Sequence, residues 1–135
     1  MLLDQKILDE LRKNSRKSNV EIAKKLKVSE GTVRKRIQRL IKRGVIKKFT
    51  IEISTKTGFS TMVLIKSKPQ VNTSKIVENI KKIKDVESIF ETAGDYDVIV
   101  NIVTISAESF NNIIERVRKI DGILETETLT ILKIS

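Results

Sequence analysis

The chain contains no cysteine and no histidine. Without thiols it forms no disulfide, and without thiolate or imidazole it lacks the usual ligands of a zinc site. Cys–His and Ser–His–Asp catalysis are excluded with them. Carboxylates, lysines, hydroxyls and a single tyrosine are what remain for chemistry. Tryptophan is absent, and aromatic residues make up only 4% of the chain. With abundant lysine, that composition suits a thermophile. No apolar run approaches the ~18–20 residues that span a bilayer, and the N-terminus carries no signal-peptide pattern. The sequence is therefore expected to be soluble and cytoplasmic, with no membrane association, no metal and no cofactor.

What is present is positive charge, unevenly placed. The 135 residues are 39% hydrophobic, enough to build one domain or two small ones, and the formal charge is +10. Residues Met1–Thr55 hold 16 Lys/Arg against 6 Asp/Glu, which is the whole excess; Lys56–Ser135 holds 11 of each. A solubility surface would not confine its charge to two-fifths of the chain. Such asymmetry points to a polyanionic partner.

The basic part reads as three helices. Leu3, Ile7, Leu8 and Leu11 recur at helical spacing, with the acidic Asp4 near the start. Ser18 caps a second helix, with Glu21 at capping-box spacing and Val20, Ile22, Ala23 and Leu26 as its apolar positions. Lys27-Val28 is a turn, at a place where helix-turn-helix motifs often carry Gly. Ser29 caps the third helix, and Gly44 ends it.

On a wheel at ~100° per residue, Val33, Ile37, Leu40 and Ile41 of that helix fall on one face. Lys35, Gln38, Arg39 and Lys42 lie opposite, with Arg34 on the flank and Gly31 and Thr32 extending the polar side forward. One face packs, and the other suits the major groove of double-stranded DNA. There Arg, Lys and Gln bond base edges, and neighbouring cations meet phosphates. Ser29, Gly31, Thr32, Arg34, Lys35, Gln38, Arg39 and Lys42 are the candidate DNA-binding residues. After Gly44, the spacing of Val45, Ile46, Phe49, Ile51 and Ile53 predicts a strand, either a wing or a connection. Lys47 and Lys48 at its bend join the candidate set. Residues 1–53 thus read as a helix-turn-helix domain with a strand or wing, and 54–58 as a linker.

Residues 59–135 change period. Strands are predicted at Phe59–Lys66, Val86–Thr92, Tyr96–Ile105 and Ile123–Ile134, with helices at Ser74–Lys84 and Ala107–Ile120 and a turn at Gly94-Asp95. The order βαββαβ is the ferredoxin-like arrangement, so the fold class is α+β. An internal repeat supports it: "IVENIKKIKDV" (Ile76–Val86) matches "IIERVRKIDGI" (Ile113–Ile123) at an offset of 37. Helices on one side of such a sheet leave the other side open. Val98, Val100 and Ile102 would face one way and Ile99 and Val103 the other, so both faces are apolar. An apolar open face predicts a homodimer formed sheet on sheet, which would present two reading helices to a palindromic site.

These residues together resemble the Lrp/AsnC family of prokaryotic transcription regulators, the feast/famine proteins. The likeness covers almost the whole chain. It rests on Asp4, Ile7-Leu8, Asn14/Arg16, Ile22-Ala23, Ser29, Gly44-Val45-Ile46 and the turn Gly94-Asp95-Tyr96-Asp97. It implies a winged helix-turn-helix domain followed by a ferredoxin-like sensing domain of the RAM type. It also implies dimers through facing sheets, assembly to tetramers or octamers, and small effectors, typically amino acids, bound between sensing domains. Gly94, Asp95, Tyr96 and Asp97 are the matching effector positions: Gly exposes backbone N–H groups to a carboxylate, and Asp95 or Asp97 can pair with an amino group. Thr126 and Thr128 on the last strand are further candidates.

Three other functions compete. An RNA-recognition motif shares the βαββαβ order but needs stacking aromatics, and "YDVIVNIVTI" offers aliphatics after one edge Tyr. An enzyme would have to work with Asp95 and Asp97 on an exposed turn, unaided by His or Cys. An architectural DNA coat with little sequence preference accounts for the lysines equally well, and only site selection separates it from specific regulation.

Overall fold

The structure, a computed structural model, describes residues 2–53 and 58–135. The chain divides into two compact units, Met1–Ile53 and Ser54–Ser135. Of the linker predicted over 54–58, only Gly58 is among the described residues.

The first unit contains α1 (Leu2–Lys13), α2 (Asn19–Leu26) and α3 (Glu30–Lys42). Ile7, Leu11, Ile22, Ala23 and Val33 form its buried core, with Leu3, Leu26, Val28, Ile37 and Ile46 packed around them. Ser18 and Ser29 are the N-caps of α2 and α3: each side chain accepts from the backbone N–H three residues on, Glu21 and Thr32. Both helices also end alike. Val28 N–H reaches Ala23 O at 3.0 Å, and Val45 N–H reaches Leu40 O at 2.9 Å, the long bond of a Schellman cap. Such a cap needs a left-handed residue, here Lys27 (φ 58°) and Gly44 (φ 74°). Lysine therefore occupies a left-handed turn that glycine would enter without strain.

Two apolar positions of the sequence reading lie elsewhere. Ile41 is 47% exposed and Val20 50% exposed. The three-helix packing is too narrow to cover a full apolar stripe, so Val33 and Leu40 carry the buried face of α3. The strand predicted over Val45–Ile53 is absent as well. Residues 45–53 pair with no strand, because the described residues of this unit hold no second strand to pair with. The segment runs past α1 instead, the Ser15 hydroxyl donating to Thr50 O at 3.4 Å. Val45, Phe49, Ile51 and Ile53 stay exposed.

Buried carboxylates fasten the helices. Glu10 of α1 is only 5% exposed. It pairs with Lys17 at 2.6 Å in the α1–α2 turn, with Lys25 at 2.8 Å on α2 and with Lys13 at 3.7 Å. The Lys17 and Lys25 ammonium groups hold its carboxyl down to about 2, against an ordinary 4.5. A depressed carboxyl pKa contributes stability above the unfolded value, and that stability is lost as pH falls through the folded one. Melting temperature should therefore fall between about pH 4.5 and pH 2. Glu10→Gln should melt lower at neutral pH and show a smaller fall across that window. An identical pH profile would remove Glu10 from the account.

The second unit is a four-stranded antiparallel sheet in the order β2-β3-β1-β4, with two helices. Its elements are β1 (Phe59–Ser67), α4 (Thr73–Lys81), β2 (Val86–Glu91), β3 (Val98–Thr104), α5 (Ala107–Arg118) and β4 (Ile123–Thr130). This is the split βαβ order, with the last strand ending four residues earlier than the apolar pattern predicts. Val63, Ile65, Val98, Val100 and Ile102 pack under Ile76, Val77 and Ile80 of α4 and Phe110, Ile113, Ile114 and Val117 of α5. Three pairs in that list, Ile76/Ile113, Val77/Ile114 and Ile80/Val117, stand at the repeat offset of 37.

The repeat extends into the turns. Asp85 (φ 71°) and Gly122 (φ 97°) occupy matching positions, each left-handed before its strand. Asp tolerates that conformation. At 122 a side chain has no room, since a Cβ there would come within 2.5 Å of Val71.

Candidate DNA-reading helix and effector turn

Ser29 starts α3 at φ −77°, ψ 155°, its Oγ accepting from Thr32 N at 3.1 Å and lying 2.8 Å from Thr32 Oγ1. The two hydroxyls thus satisfy the helix end and each other, while Gly31 keeps the helix front small. Arg34, Lys35, Gln38, Arg39 and Lys42 are exposed, as are Lys47 and Lys48. Arg34 leans back on Glu30 at 3.3 Å. Lys35, Arg39, Lys42, Lys47 and Lys48 form no ion pair among the described residues, whereas Lys13, Lys17 and Lys25 of the first two helices and their turn are drawn to Glu10. On α3 and the segment after it, those five cations carry charge that no carboxylate among the described residues offsets.

Arg36, which the helix wheel assigns to neither face, points inward. Its guanidinium meets the buried Asp4 of α1 at 3.2 Å. The pair ties α3 to α1 beside the apolar contacts of Val33 and Ile37. The only trace in the sequence is an Asp at the start of the first helix.

The turn residues Gly94–Asp97 are tied into one end of the sheet. Asp97 Oδ2 accepts from Ser67 N at 2.8 Å and Ser67 Oγ at 2.9 Å. The Ser67 backbone N–H and then its hydroxyl hold the Asp97 carboxyl below its ordinary value, against a partial opposing effect of burial. Thr92 Oγ1 donates to Tyr96 O at 2.7 Å, closing the loop. Gly94 (φ 135°) has open space around it. The Tyr96 hydroxyl donates to Glu127 on β4, and this bond raises its pKa above the ordinary value. Lys66 lies 5.4 Å from the Tyr96 ring centre.

Gly94, Asp95, Tyr96 and Asp97 thus stand together, and sequence reasoning missed Lys66 and Glu127 beside them, which only strand register brings close. Thr126 and Thr128 do not join them. They pair with Ile65 and Val63, whose side chains are in the core, while Glu127 pairs with Leu64 on the open face. Both threonines face the helix side, and Thr126 Oγ1 accepts from Arg118 of α5 at 3.5 Å.

Residues 2–47 match the family model for winged helix-turn-helix DNA-binding domains, and residues 60–135 match that for the Lrp/AsnC ligand binding domain. The chain belongs to the Lrp/AsnC family. It is 43% identical over 131 residues to the HTH-type transcriptional regulator LysM of Sulfurisphaera tokodaii, spanning 97% of this chain and 94% of that one. With the regulator FL11 of Pyrococcus furiosus it shares 34% identity over 98% of this chain and 89% of that one. Among solved structures, PH0061 superposes with a TM-score of 0.88 at 28% identity, over 98% of this chain and 93% of that one. AsnC of E. coli does so at 0.72 and 26%, over 98% and 91%. This Lrp/AsnC protein is a DNA-binding transcription regulator, not an enzyme, and its C-terminal unit is the family's ligand-binding domain. No helix among its described residues is long and apolar enough to cross a membrane.

Proposed function

We propose that the protein is a sequence-specific regulator acting as a homodimer, and by further assembly a tetramer or octamer, in the prokaryotic cytoplasm. One observation carries the sequence-specific reading. The exposed face of α3 sets Arg34, Lys35 and Gln38, groups able to bond base edges, beside Arg39 and Lys42, which carry charge free for phosphates. An architectural coat would need only the phosphate grip. Selection from a random duplex pool near physiological salt tests this. A palindrome with half-sites about one helical turn apart is expected. Strong binding without an enriched motif would favour the coat.

Lys47 and Lys48 are assigned to phosphates. Replacing both with Ala should weaken binding to all sequences and reduce the salt slope by about 1 per lysine and half-site. A slope equal to that of the unmodified protein would take the segment off the DNA.

The sensing domain is assigned a small effector of the amino-acid class, held at Gly94, Asp95 and Tyr96 with Glu127 alongside. Asp97 supports that turn from beneath through Ser67. Homodimerisation is assigned to the open sheet face, where Met62, Leu64, Ile99, Val103, Leu129 and Phe90 gather away from the helices. Registers Met62↔Leu129, Leu64↔Ile99, Ser60↔Val103 and Phe90↔Ile99 place them on that one side. Titrating amino acids against the selected duplex, with assembly followed by sedimentation, tests both assignments. No shift in affinity or assembly with any amino acid would leave the turn without a ligand.

A further inference from the structure

Asn101 stands at the middle of β3, one of the two central strands, and faces the open side of the sheet. Its cross-strand neighbours are Met62 on β1 and Ser88 on β2, and Ile99 and Val103 flank it along the strand. It is half-buried already in the single chain. Its Oδ1 is the one fully buried side-chain polar atom among the described residues without a hydrogen-bond partner. Such an orphan is costly, and native proteins rarely keep one. An aliphatic residue would fit this apolar surface better. The position therefore calls for a partner group that the single chain does not supply.

A second copy of the same chain supplies it. A side-chain amide carries both a donor and an acceptor, so it is complementary to itself. When two like faces meet about a twofold axis, residues near the axis meet their own copies. Packed sheets lie about 10 Å apart, and an Asn side chain reaches roughly half of that gap. In the single chain Oδ1 is covered by its own neighbours, so the pairing requires the side chain to turn and bring its amide to the open face, which the broad torsion carrying the amide allows. An unrelated partner would have to present a matched donor and acceptor at this one point.

We infer that Asn101 lies on the twofold axis of the homodimer and pairs amide to amide with the partner's Asn101, fixing the register in which the two sheets meet. This rests on the sheet-on-sheet dimer proposed above. In any shifted register Asn101 would be buried against Met62, Ile99 or Val103 with its amide unpaired. A single polar group in an apolar interface selects alignment in this way.

The test is charge complementation at position 101. Asn101→Asp and Asn101→Lys should each dissociate at concentrations at least about tenfold above the unmodified protein, because like charges would face each other on the axis. An equimolar mixture, one chain tagged, should restore the dimer as a mixed species in native mass spectrometry. A mixture that stays monomeric, or either variant dimerising alone as tightly as the unmodified chain, overturns the inference. Should a charged residue prevent folding, the unmodified protein decides. In a mixed sample of labelled and unlabelled chains, the Asn101 side-chain NH2 protons should show an intermolecular nuclear Overhauser effect to the partner's Asn101. Contacts to aliphatic side chains only would place Asn101 off the axis. Met62→Glu tests the sheet-on-sheet reading by itself. If it stays dimeric that reading falls, whereas a monomeric Met62→Glu with no complementation at 101 removes only the axial pair.

Discussion

Met62→Glu is expected to split the dimer and to lower affinity for the selected duplex by about 10²–10⁴-fold, the range that linked binding of two half-sites supplies. Met62 is half-buried on β1 opposite Leu129 and Asn101, near the centre of the open face. Its cross-strand neighbours carry no charge, so a glutamate there stays hydrated in the single chain and the sheet should still fold. In an isologous interface the substitution counts twice, burying two like carboxylates near each other with no cation between them. The first unit, with its own core, should be untouched, and each monomer should still bind a half-site weakly. Sedimentation velocity reads the dissociation and fluorescence anisotropy the affinity. A dimer that survives would move the interface off this face.

Replacing Arg34, Lys35 or Gln38 with Ala should relax base preference by about 1–3 kcal/mol at the base each side chain reads, roughly 5- to 150-fold. Neighbouring positions of the site should keep their preference. Arg34 needs a control, because it also rests on Glu30 at 3.3 Å. Glu30→Ala removes that tie while leaving the guanidinium free. If Arg34 reads a base, only Arg34→Ala should change the selected motif. The measurement is repeated site selection with each variant. Unchanged motifs from all three would place the reading surface elsewhere than α3.

Regular elements were legible wherever a period or a cap carried them. Ser18, Ser29 and Gly44 mark helix ends through local bonds within a few residues, and those bonds are present. The repeat at offset 37 announced two equivalent helix–strand pieces, and the sheet places their strands β2 and β4 at its two edges. The failures are tertiary. Ile41 fits the wheel but not a bundle of only three helices. Residues 45–53 have a strand's alternation without a neighbouring strand to complete it. The candidate effector set shows the limit most clearly. Thr126 and Thr128 are next to Glu127 in sequence, yet one step along a strand reverses the face, and only the register with β1 tells which side each takes. The Asp97–Ser67 and Arg36–Asp4 contacts join residues 30 and 32 positions apart, with no pattern to announce them.

The pairing of β1 with β4 has a consequence for the nascent chain. Phe59–Ser67 finds one of its two neighbours only when Ile123–Thr130 has been made. The helices of the first unit need nothing beyond about residue 46 to close their core. Synthesis proceeds from the N-terminus, and domains fold as units. Each chain on the ribosome should therefore hold a finished basic domain for some time before its sheet is complete. During that interval it would grip nucleic acid as a single weak half of the proposed dimer. In the proposed dimer, cooperative, two-handed binding would arrive only with the last strand, so an incompletely synthesised chain would not compete with the finished regulator for its sites.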